Sequence, residues 1–257
     1  MSCDKLIATI KKVILNDSNI GQFYLKSHPR TKYNLELILK EIIFVLRTGI
    51  SWRDLRSSIN WQSVYWHFKR FSKHNIFQKS FISLRNKYIK NNSSNIFAID
   101  TTFITNKKGF NKLGRNIMNK NKKSSKISLI VDTNGAPLSI SIDRGNKHDL
   151  RFCNSHLKDL NTKLNNKILL GDRGYVSQQL RTQLESKFNT KLMVMKKKNM
   201  INGGYFDKNI YKKRIVVENT FQKIKSFKRI QLRYDYYHST YKSFVLLASS
   251  IILNRNL

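Results

Sequence analysis

Apolar residues recur at helical spacing throughout the N-terminal third of the chain. Short stripes occupy residues 7–14, 61–72 and 76–89. The clearest stripe runs from residue 34 to 48 and is followed by Gly49, a residue type that commonly ends helices. The pattern predicts a small helical unit that contains a helix-turn-helix arrangement.

The helical spacing of the apolar residues ends at a polar linker, residues 90–95, and a different pattern follows it. Residues 96–104 are apolar, β-branched and aromatic, which predicts a buried strand with Asp100 in its middle. A carboxylate inside a buried strand is costly unless it is paired or binds a cation. Asp100 is therefore a candidate site residue, and a structural aspartate satisfied by hydrogen bonds is the alternative.

A long basic segment separates this strand from a hairpin. Residues 105–125 are predicted to form a polar loop that contains Arg115 and many lysines. The loop is either a solvated segment or an arm that grips phosphates, and its place beside a carboxylate-bearing strand favours the second interpretation. Residues 126–132 and 137–142 predict two strands joined by an Asn-Gly turn, to which Asp132 is assigned.

An amphipathic pattern predicts a helix over residues 150–160. Asp149 precedes its first turn and is assigned as the N-cap, because a carboxylate there can accept hydrogen bonds from exposed backbone N–H groups. His148 stays open between loop packing and a role in a site.

A second carboxylate follows a short apolar strand. Residues 167–175 end in Gly-Asp-Arg-Gly-Tyr, which places Asp172 at a strand end between two glycines. Sites in α/β domains gather at strand ends, and glycine lets the backbone approach a ligand closely. Asp172 is thus a second candidate, and a turn aspartate beside a solvated Arg173 is the alternative. A helix to about residue 187 and a strand at 192–195 follow.

The helix predicted over residues 211–225 presents one polar face. Its members are spaced three, four and seven residues apart, namely Tyr211, Arg214, Glu218 and Lys225. On a helix that turns about 100° per residue they fall within about 60°. A carboxylate between a phenol, a guanidinium and an ammonium suits a site that binds both metal and phosphate. The alternative is a basic amphipathic helix with a solubilising Glu–Lys pair.

The charge of the chain indicates a polyanionic partner. Lys and Arg number 49 against 15 Asp and Glu in 257 residues, which gives a formal net charge of +34. Nucleic acid is the leading candidate, and the helical unit either docks on a duplex or has a solvated basic surface. A membrane is the competitor, but no stretch is apolar enough to span one and no signal-peptide block begins the chain. We therefore expect an intracellular protein.

The order of elements predicts the fold class. The strand with Asp100 is followed by two hairpin strands, a helix, the strand with Asp172, a helix, a strand and the helix with Glu218. This is the order of a ribonuclease H-like domain. The sequence therefore predicts a mixed α/β protein with a helical, helix-turn-helix-like DNA-binding region over residues 1–92 and a ribonuclease H-like catalytic domain over residues 93–257.

Four segments of the chain follow one known pattern. The polar face has Tyr, two residues, Arg, three residues, Glu, six residues and Lys without a gap. The segments Ala-Ile-Asp-Thr-Thr, Gly-Asp-Arg-Gly-Tyr and Val-Leu-Arg-Thr-Gly-Ile-Ser-Trp-Arg-Asp-Leu match as well. With these motifs the chain resembles bacterial insertion-sequence transposases of the DDE class, the insertion sequence 5 and 4 type, from about residue 32 to residue 254.

The resemblance implies an enzyme that cuts DNA at the terminal inverted repeats of its element and joins the 3′ ends to target DNA. It carries the catalytic, metal-binding triad onto Asp100, Asp172 and Glu218. The implied cofactor is Mg²⁺ or Mn²⁺, two ions in each active site. The candidate DNA contacts are Tyr211, Arg214, Lys225, Arg173 and Arg115.

The pairing of two element ends implies a homodimer in the complex with double-stranded DNA. The resemblance implies no membrane partner, and the expected location is the bacterial cytoplasm, in association with the nucleoid. About two dozen residues separate the last strand from Glu218, too few for the large β-rich insertion of some relatives. A catalytically inactive or repurposed DNA-binding relative is the main alternative. A ribonuclease H-like nuclease without strand transfer is another, and a basic packaging protein would leave Asp100 unexplained.

Overall fold

The computed structural model describes residues 4–25, 34–116, 121–195 and 206–257. The contacts between Cα atoms divide the chain into two compact units. The first unit comprises Met1–Asn91, Asn106–Asn111 and Ile224–Leu257, and the second comprises Asn92–Thr105 and Lys112–Lys223. The predicted N-terminal region is thus grouped with the C-terminal segment. The division of function between residues 1–92 and 93–257 stays a prediction.

Helices and strands are numbered here along the described chain. The helices are α1 (Asp4–Leu15), α2 (Leu35–Thr48), α3 (Trp61–Lys73), α4 (Ile76–Asn91), α5 (Leu150–Leu160), α6 (Gln178–Phe188), α7 (Lys208–Lys212), α8 (Ile215–Lys225), α9 (Lys228–Gln231) and α10 (His238–Arg255). The strands are β1 (Ile96–Asn106), β2 (Gly114–Asn116), β3 (Lys122–Asp132), β4 (Pro137–Arg144), β5 (Ile168–Gly171), β6 (Lys191–Val194) and β7 (Leu232–Arg233).

The caps of α2 explain why its limits follow the sequence pattern. The Asn34 side chain accepts a hydrogen bond from the backbone N–H of Glu36 at the start of the helix (2.8 Å). Gly49 ends the helix with a φ of 71°, a left-handed conformation that glycine adopts without a steric penalty. The predicted helix end at Gly49 is confirmed.

The long helix α10 forms the core of the first unit. Its segment from Phe244 to Leu253 is buried without interruption. Phe244 stacks on Phe68 of α3 with ring centroids 4.4 Å apart, and on Trp52 at 6.0 Å. A helix that is buried on all sides needs no polar face, which explains its nearly continuous apolar sequence.

A mixed sheet forms the centre of the second unit. Its strands run in the order β4–β3–β1–β5–β6, and β2 also pairs with β3. β3 is antiparallel to β1 and to β4, whereas β5 is parallel to both β1 and β6. An antiparallel meander followed by parallel strands is the ribonuclease H-like arrangement that the element order predicted.

A buried histidine ties α5 to this sheet. His156 forms hydrogen bonds with Ser139 of β4 through Nδ1 (2.8 Å) and with Ser128 of β3 through Nε2 (2.9 Å). Burial lowers the pKa of His156 to about 4, so the ring is neutral at physiological pH. Its role is structural, because both nitrogens bond to the sheet.

The prediction of a loop over the basic residues 105–125 was wrong in part, because residues 105–106, 114–116 and 122–125 belong to strands, whereas residues 107–113 are irregular. β1 extends to Asn106, and β2 pairs with the first residues of β3, so that Arg115 lies opposite Lys123. The strands were missed because their residues are polar, although Ser124 and Ser125 are fully buried in β3. Residues 117–120 of this segment lie outside the described residues.

The single helix predicted over residues 211–225 is two helices. Tyr211 lies in α7, Arg214 lies in the turn between the helices, and α8 contains Glu218. The backbone N–H of Arg214 donates to the carbonyl of Tyr211, and that of Val217 donates to the carbonyl of Arg214, at 3.0 and 3.1 Å. These bonds span three residues and tighten the backbone at the turn, a change that side-chain periodicity does not reveal.

Within the four described ranges, no helix combines the length and apolar character that crossing a membrane requires.

Candidate active site

The strand register brings the two candidate aspartates together. β1 and β5 pair in parallel from Ile96 opposite Ile168 to Ala98 opposite Leu170. Asp100 and Asp172 each lie two residues further along, and the backbone of Asp172 is still extended. Because neighbouring strands lie about 4.8 Å apart, the two carboxylates are neighbours at the end of β5.

The environment of Asp100 disfavours its ionised form. Burial raises the pKa of Asp100 to about 6, and the charges of Asp172 and Glu218 raise it as well. The hydrogen bond from the Thr101 N–H (2.7 Å) and the charge of Arg214 act in the opposite direction. The side chain of Asp100 is 19% exposed, so an ion could still reach it. A partly buried carboxylate with two acidic neighbours is a group that a cation would stabilise.

Arg214 joins two of the candidate carboxylates. Its Nη1 lies 3.3 Å from Oδ2 of Asp100, and its Nη2 lies 2.7 Å from Oε1 of Glu218. The turn between α7 and α8 places the guanidinium there, and Glu218 follows one helical turn later. The polar face predicted from the spacing thus contacts the strand aspartate through its arginine.

Tyr211 connects α7 to the same strand end. Its hydroxyl donates a hydrogen bond to the carbonyl oxygen of Gly171 (3.1 Å), the residue immediately before Asp172. Phe206 packs against the Tyr211 ring with centroids 5.2 Å apart. Tyr211 therefore helps to fix α7 over the end of β5.

Asp172 is held by a short turn. Its Oδ1 accepts a hydrogen bond from the N–H of Gly174 (2.8 Å), and it caps the 3₁₀ turn Arg173–Tyr175. A Cβ on Gly174 would lie 3.0 Å from this oxygen and 3.5 Å from Oδ2 of Asp149. The absence of a side chain at Gly174 therefore lets two carboxylates approach the turn.

The assignment of Asp149 as a side-chain N-cap was wrong. Asp149 has helical backbone angles and its side chain makes no capping bond. Its Oδ1 instead accepts hydrogen bonds from Thr101 Oγ1 (2.8 Å) and Lys126 Nζ (2.9 Å). The N–H of Leu150 donates to His148 Nδ1 (3.3 Å), so His148 has a local structural contact. A buried lysine attracts the carboxylate more strongly than a backbone N–H does.

Lys126 and Thr101 were not predicted from the sequence as partners of Asp149. Here the three residues are called the Asp149 network. Lys126 is only 6% exposed, its Nζ also donates to the carbonyl of Lys147 (2.9 Å), and it lies 4.5 Å from the Phe103 ring centroid. The available signal was a lysine at the start of the mainly apolar segment 126–132. Through Thr101, the network is adjacent in sequence to Asp100.

The other three predicted DNA contacts differ in their exposure. Arg173 is exposed and its Nη2 lies 3.1 Å from the sulfur of Met195. Arg115 is exposed on β2, whereas Lys225 is half-buried at the end of α8 and is grouped with the first unit. Their roles stay predictions.

The donor set fits a divalent cation in its chemistry. Asp100, Asp172 and Glu218 supply carboxylate oxygens, the ligands that Mg²⁺ prefers. In the described parts of the chain, no three side chains of Asp, Glu, His or Cys are arranged to hold a metal ion. The Arg214 guanidinium contacts two of the carboxylates and supplies the positive charge between them.

Two family models match the chain. The transposase DDE domain model matches residues 91–253, which include all three candidate carboxylates. A model of IS4/5-family transposases matches residues 9–81, the N-terminal helical region. Transposases of the DDE family generally use a divalent metal ion.

Solved structures give a likeness in fold. The chain is similar to piggyBac transposase in its synaptic complex with hairpin DNA, with a TM-score of 0.57 and 10% identity over 97% of this chain and 75% of that one. For the Mos1 strand transfer complex the TM-score is 0.36, with 11% identity over 90% of this chain and 78% of that one. The first likeness supports the ribonuclease H-like fold. No curated protein matches the chain.

Proposed function

This chain belongs to the DDE transposase family, of the IS4/5 type, and we propose that it acts on the ends of its own insertion sequence. It binds the terminal inverted repeats, cleaves DNA at the element ends and transfers the 3′ ends to target DNA. The observation that carries this proposal is the contact of Arg214 with both Asp100 and Glu218 beside Asp172.

The three carboxylates are the proposed metal ligands. Asp100, Asp172 and Glu218 would hold Mg²⁺ or Mn²⁺, with two ions in each active site. When bound, the ions supply activation of a water or 3′-hydroxyl nucleophile and stabilisation of the leaving oxygen. The burial that raises the pKa of Asp100 also keeps the site partly shielded from water, which strengthens its electrostatic interactions.

Arg214 and Tyr211 have positioning roles in this proposal. Arg214 holds Asp100 and Glu218 towards a common point before any ion arrives. Its planar guanidinium can also bind a phosphate in a bidentate manner, so it is the proposed contact for DNA at the reacting end. Tyr211 keeps the turn in place through its bond to Gly171.

Double-stranded DNA is the proposed partner. The net charge of +34 supports phosphate binding, and Lys225, Arg173 and Arg115 are the further proposed contacts. The pairing of two element ends requires two copies of the chain, so a homodimer is proposed for the DNA complex. The proposed location is the nucleoid.

The experiment incubates the protein with Mg²⁺ and duplexes that carry the inverted repeats flanking its gene. Wild type is compared with Glu218→Gln and with Glu185→Gln, which makes the same charge change on an exposed part of α6 in the same unit. We expect end cleavage and joined products from wild type and Glu185→Gln, and neither product from Glu218→Gln. Substantial cleavage by Glu218→Gln would remove that residue from the site.

Other products of the same assay separate the alternatives. Cleaved ends without joined products would indicate a nuclease that hydrolyses only. Binding to the repeats without any cleavage, with Mn²⁺ as with Mg²⁺, would identify a DNA-binding relative that has lost its activity.

Replacement of Lys225 by Ala should weaken end binding and reduce the salt slope by about 1. An unchanged slope would count against a phosphate contact there.

A further inference from the structure

Four aromatic side chains are exposed close together in the first unit. They are Phe110, Tyr234, Tyr236 and Tyr237, here called the aromatic strip, with exposed fractions of 69%, 41%, 49% and 48%. The rings of Phe110 and Tyr236 are stacked, with centroids 5.0 Å apart and planes 6° apart. Tyr237 lies edge-on to Tyr236 at 5.1 Å. Large exposed apolar groups that cluster in this way mark an interaction surface.

The backbone beneath the strip is held by a buried arginine. Arg233 is fully buried, and its Nη2 donates to the carbonyl oxygen of Asn111 (2.9 Å). Its own carbonyl accepts hydrogen bonds from the N–H groups of Lys107 and Lys108 (2.9 and 3.2 Å). The N–H of Phe110 donates to the carbonyl of Tyr236 (2.9 Å), which fixes the two stacked residues side by side.

A second buried pair supports the other side of the strip. Arg229 donates to both oxygens of Asp235, at 3.1 and 3.2 Å, and both side chains are buried. Asp235 lies between Tyr234 and Tyr236 in the chain, so this pair anchors the turn that carries them. The exposed rings are therefore presented by a rigid base, which limits the entropy lost when a ligand binds.

Basic residues surround the strip. Lys107 and Lys108 are exposed on the loop that carries Phe110. Tyr237 lines a cleft of about 750 Å³ with Lys69, Arg70 and Lys73. Tyr234 lines a second cleft, of about 770 Å³, with Arg53, Lys108 and Arg229. Two residues of the strip, Tyr237 and Tyr234, thus each line a cleft that also contains basic side chains.

This combination selects a ligand that offers flat rings and negative charge together. Nucleobases linked by phosphates have both properties, and stacking on exposed aromatic rings is how proteins hold unpaired strands. The faces of bases in an intact duplex are covered by their neighbours, so a paired helix could offer only phosphates to this surface. We propose that the aromatic strip binds unpaired DNA, with a base that extends the Phe110–Tyr236 stack and phosphates on the neighbouring lysines.

The proposal rests on the proposed function only in taking DNA as the substrate. The aromatic strip should make the protein prefer DNA with ends, gaps or distorted segments over a continuous duplex. The proposed metal site formed by the carboxylates gives no reason to expect this preference. The test therefore measures binding in EDTA, where cleavage does not contribute. Fluorescence anisotropy compares a matched duplex, the same duplex with a short unpaired stretch, and the labelled single strand.

Wild type is compared with Phe110→Ala and Tyr236→Ala, and with Phe44→Ala as a matched control. Phe44 is 47% exposed on α2, in the same unit, but outside the strip. We expect wild type and Phe44→Ala to prefer the unpaired probes. Each strip variant should bind those probes about 5- to 150-fold more weakly, as expected for one lost stacking contact, with little change for the matched duplex. Tyr236→Phe should retain the preference, because it keeps the ring.

Equal affinity of wild type for matched and unpaired probes would overturn the proposal. An unchanged preference in Phe110→Ala and Tyr236→Ala, with circular dichroism showing folded protein, would also overturn it. The binding test and the cleavage assay can fail independently of each other, because cleavage depends on Glu218 and a metal ion and binding in EDTA does not. Lys108→Ala should reduce the salt slope for the labelled single strand by about 0.7, and an unchanged slope would remove that lysine from the contact.

Discussion

Replacement of Asp100 by Asn should stabilise the metal-free protein above pH 6. The reason is that the folded chain holds this carboxylate in a partly buried place beside Asp172 and Glu218, where its charge is disfavoured. Asn keeps nearly the same shape and lacks the charge. The same change should abolish DNA cleavage, so stability and activity are expected to move in opposite directions, as at many functional sites.

The magnitude follows from the pKa. Burial raises the pKa of Asp100 from 3.8 to about 6, and one pKa unit corresponds to about 1.4 kcal/mol. Between these two values the folded chain binds more protons than the unfolded chain, so the free energy of unfolding falls as pH rises. Wild type should therefore lose up to about 3 kcal/mol between pH 4 and pH 7 that the Asn variant does not lose.

The assay is urea unfolding in EDTA at several pH values, followed by circular dichroism. Tryptophan fluorescence is unsuitable, since Trp52, Trp61 and Trp66 all belong to the first unit. Asp143→Asn is the matched control in the second unit. Burial acts to raise the pKa of Asp143, but the hydrogen bond and charge of Lys147 hold it below its usual value. Removal of this carboxylate should therefore make the control less stable than wild type above about pH 4, by an amount that no longer changes as the pH rises.

Two results would refute this reasoning. The difference in unfolding free energy between wild type and Asp100→Asn could stay constant from pH 4 to pH 8, which would mean that the carboxylate titrates normally. Alternatively, Asp100→Asn could be less stable than wild type at pH 7.5, which would mean that the ion pair with Arg214 outweighs burial and the neighbouring acids. A difference between wild type and Asp143→Asn that stays constant over this pH range would show that a pH-dependent difference for Asp100→Asn comes from the titration of Asp100 itself.

Three further predictions follow from other contacts. Arg214→Gln should destabilise the metal-free protein by about 2 kcal/mol at pH 7.5, because Asp100 and Glu218 lose their charge-assisted bonds. Mg²⁺ should recover part of this loss in urea unfolding. The absence of any recovery would argue against binding of a metal ion by the carboxylates that Arg214 contacts. Asp149→Ala should cost about 3 kcal/mol, because it leaves buried Lys126 without its carboxylate. The double variant with Lys126→Met should recover stability, and a purely additive loss would contradict the pairing. Asp235→Ala should cost about 3–5 kcal/mol through its buried arginine, and a shift of less than about 1 kcal/mol in fluorescence-detected unfolding would contradict this.

Local patterns predicted much of the fold. The limits of α2, α3 and α5 agree with the sequence to within about one residue, because each helix has a distinct apolar face and clear ends. The β2–β3 pairing was missed because its residues, 114–116 and 122–124, carry no apolar side chain. Ser124 is nevertheless buried, and such burial depends on contacts between strands, which a local pattern does not encode.

The candidate site was predictable where it depends on strand ends. A carboxylate in an apolar strand and another after a short strand were sufficient to select Asp100 and Asp172 as candidates, and the strand register places the two side by side. The roles of Thr101 and Lys126 were not predictable, because their bonds to Asp149 span 48 and 23 residues. Asp149 was assigned as a helix cap from its local position, whereas its ion pair with the distant Lys126 determines its actual contacts.

Acidic residues are scarce in this chain, which gives their clustering physical weight. Of 15 Asp and Glu residues, four lie near the end of β5: Asp100, Asp149, Asp172 and Glu218. Their mutual repulsion is compensated in the described structure by Arg214 and Lys126, and Asp100 still has a raised pKa. A fully structural cluster would gain nothing from another cation, whereas a metal site should be stabilised by one. The response of wild-type stability to Mg²⁺ at pH 7.5, and its absence in Asp100→Asn, therefore separates these two interpretations without any measurement of DNA cleavage.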